Sequence, residues 1–135
     1  MSAEENKALV RRFLDEQARG NLGVIDELLS PDFVDRGLLP GQGPTREDFK
    51  RTMTEILEAF SILSFTIEDQ IAEGDRVVTR WTARASHLGE LNGIPPTGKQ
   101  VSISGIDVDR FENGRVVECW TLQDDLGMMR QLGVI

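Results

Sequence analysis

The residues with the greatest chemical potential lie in the last third of the chain. Asn113-Gly114 is a strong two-residue hairpin signal, and a turn there sets the register of the runs on either side. In that register Asp109 opposes Glu118, Asp107 opposes Trp120, Gly105 opposes Leu122 and Ile103 opposes Asp124, all on one face. Asp107, Asp109, Glu118 and Asp124 then stand among large apolar groups. Ionised carboxylates crowded on a dry surface repel one another and lose hydration, so their pKa values rise. Either some of them sit at the open end of the sheet, or a β-bulge redirects part of the strand. Asp107 and Asp109 are carried as pocket-facing, substrate-binding candidates, although any one acid taken alone is more often a solvated strand edge. Asp124 follows an apolar strand that contains Trp120 and Leu122. There it either projects into a cavity as a general acid–base or caps the helix that follows, with Asp125 competing for the cap.

His87 ends another strand-like run, in which Trp81, Ala83 and Ala85 share its face. Small residues beside a tryptophan suit a pocket wall, and His87 reads either as polar lining or as a hydrogen-bonded bystander. Trp81 and Trp120 are core residues that can also line a ligand site. One histidine and one cysteine, Cys119, provide neither a His-rich metal site nor an internal disulfide. No metal and no cofactor are expected. The chain has no Tyr, which removes mechanisms that need a phenolic donor.

These groups must be positioned by elements that the periodicity reveals. Ser2 with Glu5 forms a capping box, and Leu9, Val10, Phe13, Leu14 and Ala18 repeat at helical spacing. Gly20-Asn21 ends that helix, and Asn21 is expected to cap a second, carrying Val24, Ile25, Leu28 and Leu29, which Ser30-Pro31 stops. Phe33-Val34-Asp35 reads as a short strand before a Gly/Pro-rich loop from Gly37 to Pro44. Thr45 opens a third helix with Phe49, Met53, Ile56, Leu57 and Phe60 on its apolar face. From residue 62 the period changes to two, with strand runs over 63–71, 77–87, 101–111 and 116–123. Gly74-Asp75 and Asn113-Gly114 close hairpins, and residues 126–132 form a final helical turn. Helices followed by a long meander are an α+β pattern: a strongly curved, mostly antiparallel sheet wrapped as a cone around N-terminal helices, enclosing a small-molecule cavity.

The chain has 135 residues, which fits one domain spanning 1–135 with no linker or repeat. Its net charge of −8 disfavours phosphate backbones and anionic lipid, so neither nucleic acid nor membrane is an expected partner. No apolar run reaches the length of a membrane span, and the acidic start MSAEENK is unlike a secretion signal. A cytoplasmic protein is expected. Val108, Ile106, Val117 and Cys119 fall on the outer sheet face, more apolar surface than a small monomer usually exposes, and a homodimer would cover it.

Two segments carry a resemblance. Arg80-Trp81-Thr82-Ala83-Arg84-Ala85-Ser86-His87 with Gly93-Ile94-Pro95-Pro96-Thr97-Gly98-Lys99, and Glu118-Cys119-Trp120-Thr121-Leu122-Gln123-Asp124 with Leu126-Gly127-Met128-Met129-Arg130-Gln131-Leu132-Gly133, resemble the SnoaL-like polyketide cyclases. The likeness covers essentially the whole chain. It implies the nuclear transport factor 2-like α+β cone and a cofactor-free intramolecular aldol closure on a polyketide-type ester. It also implies that Asp124, four places after Trp120, is the acid–base. Asp35 becomes a polar pocket residue, Phe13 part of the helix that shapes the cavity, and His87 a histidine common in the wider family. Cys119 stands where relatives usually carry His.

An aldol closure removes one proton from carbon flanked by carbonyls and delivers one to the forming alkoxide. A single carboxylate raised by an apolar pocket can do both, and Asp124 is expected to do so with His87 in support. Trp120, Leu122, Trp81, Asp35, Phe13, Asp107 and Asp109 are expected to line the site around a small hydrophobic molecule. The alternatives are a non-catalytic protein that binds such a molecule, or another isomerase or hydrolase on this fold. Within the last class, Asp107, Asp109 and Arg110 keep open an epoxide-hydrolase-like arrangement.

Overall fold

A computed structural model describes residues 2–38 and 41–135. Leu39 and Pro40 of the expected Gly37–Pro44 loop lie outside the described residues, as does Met1.

Ser2 and Glu5 form the expected capping box at the start of α1 (Ala3–Ala18), which buries Val10 and Phe13. The second helix, α2 (Gly23–Leu28), departs from expectation. Leu22 stands at its cap, and the Asn21 amide instead donates to Glu16 of α1. Nor does Ser30-Pro31 act as a helix stop, because β1 (Leu29–Asp35) already runs through it. A proline fits there because β1 is an edge strand. Thr45 and Asp48 form a second capping box on α3 (Arg46–Ala59), and Phe60, expected on that helix, opens β2 (Phe60–Glu73). The sheet continues through β3 (Arg76–His87), β4 (Gln100–Glu112) and β5 (Arg115–Gln123), and α4 (Asp125–Leu132) ends the fold.

The strand order is β1-β5-β4-β3-β2, antiparallel throughout except for the parallel β1–β5 pair. Both hairpin turns form where the sequence places them, with Asn113 at φ 50° and Gly114 at φ 76°, the left-handed pair a tight hairpin needs. Two irregularities in β2, at Ile62/Ser64 and Ile67/Asp69, add residues to one side of the β2–β3 ladder. Extra residues on one strand bend and coil a sheet, which here curves around the helices. The architecture is the expected α+β cone. Among the described residues no helix is long and apolar enough to cross a membrane.

The register of β4–β5 is the main departure. Phe111 pairs with Val116 as the turn dictates, but Arg110 then pairs with Glu118 rather than with Val117. One extra residue on β5 slips every later pair: Asp109 faces Cys119, Asp107 faces Thr121 and Gly105 faces Gln123. The side-chain period is two, so this slip exchanges the faces of β5. Cys119, expected outside, turns inward and is 6% exposed, whereas Leu122, expected inside, is 81% exposed. Trp120 lies on the convex side with the Arg76 guanidinium 5.4 Å over its ring.

Inside the cone two apolar clusters form. Val10, Phe13, Ile25, Leu29, Phe33 and Phe111 fill one end; Ala59, Phe60, Trp81, Ile103, Met128 and Leu132 fill the other. Where β5 ends, Gln131 of α4 takes over the open edge of β4, accepting from Ser102 N at 2.7 Å and donating to Ser102 O at 2.9 Å. This face assignment yields a direct test by urea unfolding. Ile25→Ala, which empties a fully buried site, is expected to cost about 2–5 kcal/mol. Leu122→Ala on the convex face is expected to change the stability of the single, unassociated chain by less than about 0.5 kcal/mol.

Candidate functional site

Between the two clusters the helices and the concave sheet face enclose a cavity of about 310 Å³. Its walls are apolar: Phe13 of α1, Phe49 and Met53 of α3, Phe65 and Trp81 of the sheet, Met128 of α4. The Trp81 ring stacks on Phe65 with centroids 5.5 Å apart and packs against Gly105, its partner on the adjacent strand. A Cβ at Gly105 would meet that indole at 2.3 Å, so only glycine leaves the ring its place.

Three buried carboxylates interrupt this surface, and the pairing shows how they meet. Asp35 on β1 pairs with Cys119 on β5, and Cys119 pairs with Asp109 on β4, so the three occupy one row across the sheet. Asp107 sits one row along, opposite Thr121 on one side and Thr79 on the other. Asp35, Asp107 and Asp109 are 5%, 7% and 5% exposed.

Their surroundings set their acidities. Burial raises Asp35, while the Gln42 amide (2.5 Å) and the Gly37 N–H (3.0 Å) stabilise its charged form and oppose that rise. Burial pushes Asp107 up to about 6 against the pull of the Trp81 indole and the Thr121 hydroxyl, with the charge of Asp35 adding to the rise. Burial and the neighbouring charge of Asp107 push Asp109 up to about 8, opposed by the Cys119 thiol. Neither Asp107 Oδ1 nor Trp81 Nε1 completes a well-formed hydrogen bond within the protein. Burial first, and then the two aspartates, hold the Cys119 thiol well above its ordinary range, which makes it a poor nucleophile. The two β4 carboxyl groups are thus raised unequally, Asp109 more than Asp107, the kind of separation that acid–base catalysis uses.

The other expected site residues lie elsewhere. Asp124 is an exposed N-cap of α4, its carboxylate accepting from Gly127 N at 2.8 Å, so the capping reading is the one observed. Trp120 and Leu122 leave the pocket with the slipped register, and Glu118 pairs outside with Arg36 and Arg110. Arg110 also holds Glu112 on the convex side, so no Asp-Arg-Asp arrangement faces the cavity. His87 is completely buried but does not line the cavity. Its ring packs on Phe60, and its Nδ1 accepts the Thr97 N–H at 3.1 Å, which pins the β3–β4 connection. Phe13, Trp81, Asp35, Asp107 and Asp109 do line the cavity. Thr121 and Gln123 join them, displaced inward by a bulge that alternation does not reveal. Among the described residues no three His, Cys, Asp or Glu side chains are grouped to hold a metal ion.

The α+β cone is that of the nuclear transport factor 2-like proteins, and similarity to known proteins narrows the class. Residues 8–132 match the profile of the SnoaL-like polyketide cyclases. The chain is 29% identical over 128 residues to the aklanonic acid methyl ester cyclase DnrD of Streptomyces peucetius, covering 93% of this chain and 88% of that protein. Among solved structures, TsrD of Streptomyces laurentii superposes with a TM-score of 0.87 at 26% identity, over 100% of this chain and 99% of that one. AclR of Streptomyces galilaeus gives 0.89 at 32% identity, over 99% and 84%. The chain belongs to the SnoaL-like polyketide cyclase family.

Burial of Asp109 has a measurable consequence. Its folded-state pKa is raised, so the folded protein keeps a proton that the unfolded chain releases near pH 4. This group therefore weakens folding progressively as pH rises from about 4 to about 8. In urea titrations across pH, Asp109→Asn should match the wild type near pH 4 and exceed its stability at pH 8.5 by about 1–3 kcal/mol, the usual penalty for an uncompensated buried polar group.

Proposed function

We propose that this protein is an enzyme of the cyclase type, closing a ring by intramolecular aldol addition on a neutral polyketide-type ester held in the cone. Asp107 is the base and Asp109 the acid. The observation that carries the reading is the pair of buried carboxyl groups, two residues apart on β4, that both line the cavity and are both raised by burial, Asp109 more than Asp107.

Asp107 removes a proton from a carbon flanked by two carbonyls, and that C–H electron pair becomes the enolate. The enolate carbon attacks the second carbonyl of the same molecule, forming one C–C bond and one alkoxide. Asp109 protonates the alkoxide, and proton transfer from Asp107 to Asp109 restores the starting state. Both reacting groups belong to one substrate, so folding it against the walls of Phe13, Phe49 and Trp81 supplies the proximity. Asp35, braced by Gln42 and Gly37, keeps the floor polar beside the pair. His87 positions the β3–β4 connection, from which Leu91 and Asn92 reach the cavity.

Turnover of an aromatic β-keto ester tests these roles. Asp107→Asn is expected to lower kcat by about 10²–10⁴-fold, the usual cost of losing a general base. The wild-type pH profile should be a bell, rising through about 6 as Asp107 ionises and falling through about 8 as Asp109 loses its proton. Asp124→Asn, on an exposed cap, should keep the wild-type rate. A fully active Asp107→Asn variant refutes the mechanism.

We also propose that the convex face mediates homodimer formation. Ile106, Val108, Trp120 and Leu122 supply its apolar surface, in place of the inward-turned Cys119. Light scattering at micromolar concentration is expected to give twice the chain mass of 15.1 kDa, and Leu122→Glu should shift the mass toward that of a single chain.

A further inference from the structure

We infer that the cavity is a binding site for hydrophobic amines: an aromatic or alicyclic body fills the cone, its ammonium group rests on the Asp35–Asp109–Asp107 floor, and carboxylates of the same shape are rejected. The inference does not rest on the cyclase reading, because it concerns which charge the cavity accepts and not what happens to the ligand.

The charge census supports it. Four carboxylates line the cavity, Asp35, Asp107, Asp109 and Asp125, and among the described lining residues there is no Lys, Arg or His. The arginines that follow Asp35 and Asp109 in the chain, Arg36 and Arg110, are engaged elsewhere. Arg110 and Arg36 both hold Glu118, at 2.6 Å and 3.0 Å. Nothing cationic in the cavity offsets its floor, and in a medium of low dielectric the floor's field acts strongly on any ligand charge. An incoming ammonium supplies the missing counter-ion and strengthens the ionised form of both β4 aspartates. An incoming carboxylate adds repulsion and must surrender its hydration with no cation to replace it.

Two further observations point to such a ligand. Asp107 is 7% exposed and lines the cavity, and its enclosed Oδ1 completes no well-formed hydrogen bond within the protein. Aromatic rings line the same cavity: Phe13 stacks on Phe49 at 6.0 Å, Phe33 meets Phe49 edge-on at 5.8 Å, and Phe65 stacks on Trp81 at 5.5 Å. Ring faces attract cations through their quadrupoles, most strongly when both are shielded from water. Carboxylates beneath aromatic walls therefore favour an ammonium, while Met53, Ile56 and Met128 above them require its body to be apolar.

Three isosteric probes test the inference by calorimetry on the full chain at pH 7.5: 2-naphthylmethylamine, 2-naphthylmethanol and 2-naphthoate. The amine is expected to bind at least about tenfold tighter than the alcohol, as charge-assisted bonds and cation–π contacts imply. The naphthoate should bind more weakly than the alcohol. In Asp107→Asn the preference for the amine should fall to about threefold or less, with alcohol affinity little changed. An amine no tighter than the alcohol, or a naphthoate tighter than it, overturns the inference on the wild type alone. An undiminished amine preference in a folded Asp107→Asn variant overturns it as well.

Discussion

A single extra residue in β5 decides which side chains this protein offers to its cavity. The β4–β5 hairpin begins in the register set by Asn113-Gly114, and the slip at Arg110/Glu118 then carries β5 one residue further. Beyond that point Cys119, Thr121 and Gln123 face the cone, and Trp120 and Leu122 face away. Without the slip, Trp120 and Leu122 would fill the space beside Asp107 and Gly105, and no polar floor could form. With it, small side chains on β5 leave room above the carboxylates. The same displacement makes the convex face more apolar, which links the shape of the pocket to the proposed self-association surface.

The floor itself is held against its own electrostatics. Among the described residues Asp35, Asp107 and Asp109 have no basic partner, so each is costly in its ionised form. The surrounding structure tolerates this because both ends of the cone are well filled, around Ile25 and Phe33 at one end and around Ala85 and Leu132 at the other. The protein answers the cost with neutral donors. Gln42 and Gly37 hydrogen-bond Asp35, the indole of Trp81 and the hydroxyl of Thr121 favour charge on Asp107, and the Cys119 thiol does so weakly for Asp109. Burial first, and for Asp109 the adjacent charge of Asp107, raises these carboxyls unequally, and the proposed acid–base chemistry draws on that separation.

Asp124 and His87 illustrate the difference between a chemical residue and a chemical site. Asp124 stands at the end of an apolar strand, yet its carboxylate satisfies the first turn of α4 at Gly127, a local task for which aspartate is well suited. His87 is buried to completion, yet its ring works on Phe60 and Thr97, anchoring a connection rather than touching a ligand. Asp107 and Asp109 looked from sequence like members of a crowded face, and the cone made them its floor.

Much of the molecule was legible from local physics. The capping boxes at Ser2 and Thr45, the hairpin at Asn113-Gly114, and the change from period 3.6 to period two all act over a few neighbouring residues, so composition and spacing are enough to find them. The pattern of helices followed by a meander pointed to the cone and placed Trp81 on a strand that can line it, and the family resemblance agreed and added Phe13 and Asp35 as cavity residues. By itself the sequence determined most of the elements and their order, and it grouped Asp107 and Asp109 on one face of β4 without deciding whether a bulge would turn that face away from the cavity. The tertiary structure alone decided the face of β5, the meeting of Asp35 with Asp109 across Cys119, and the shifted acidities that follow. A bulge costs little locally and is chosen by the packing of the whole sheet, and a pKa depends on burial that exists only once distant strands have come together.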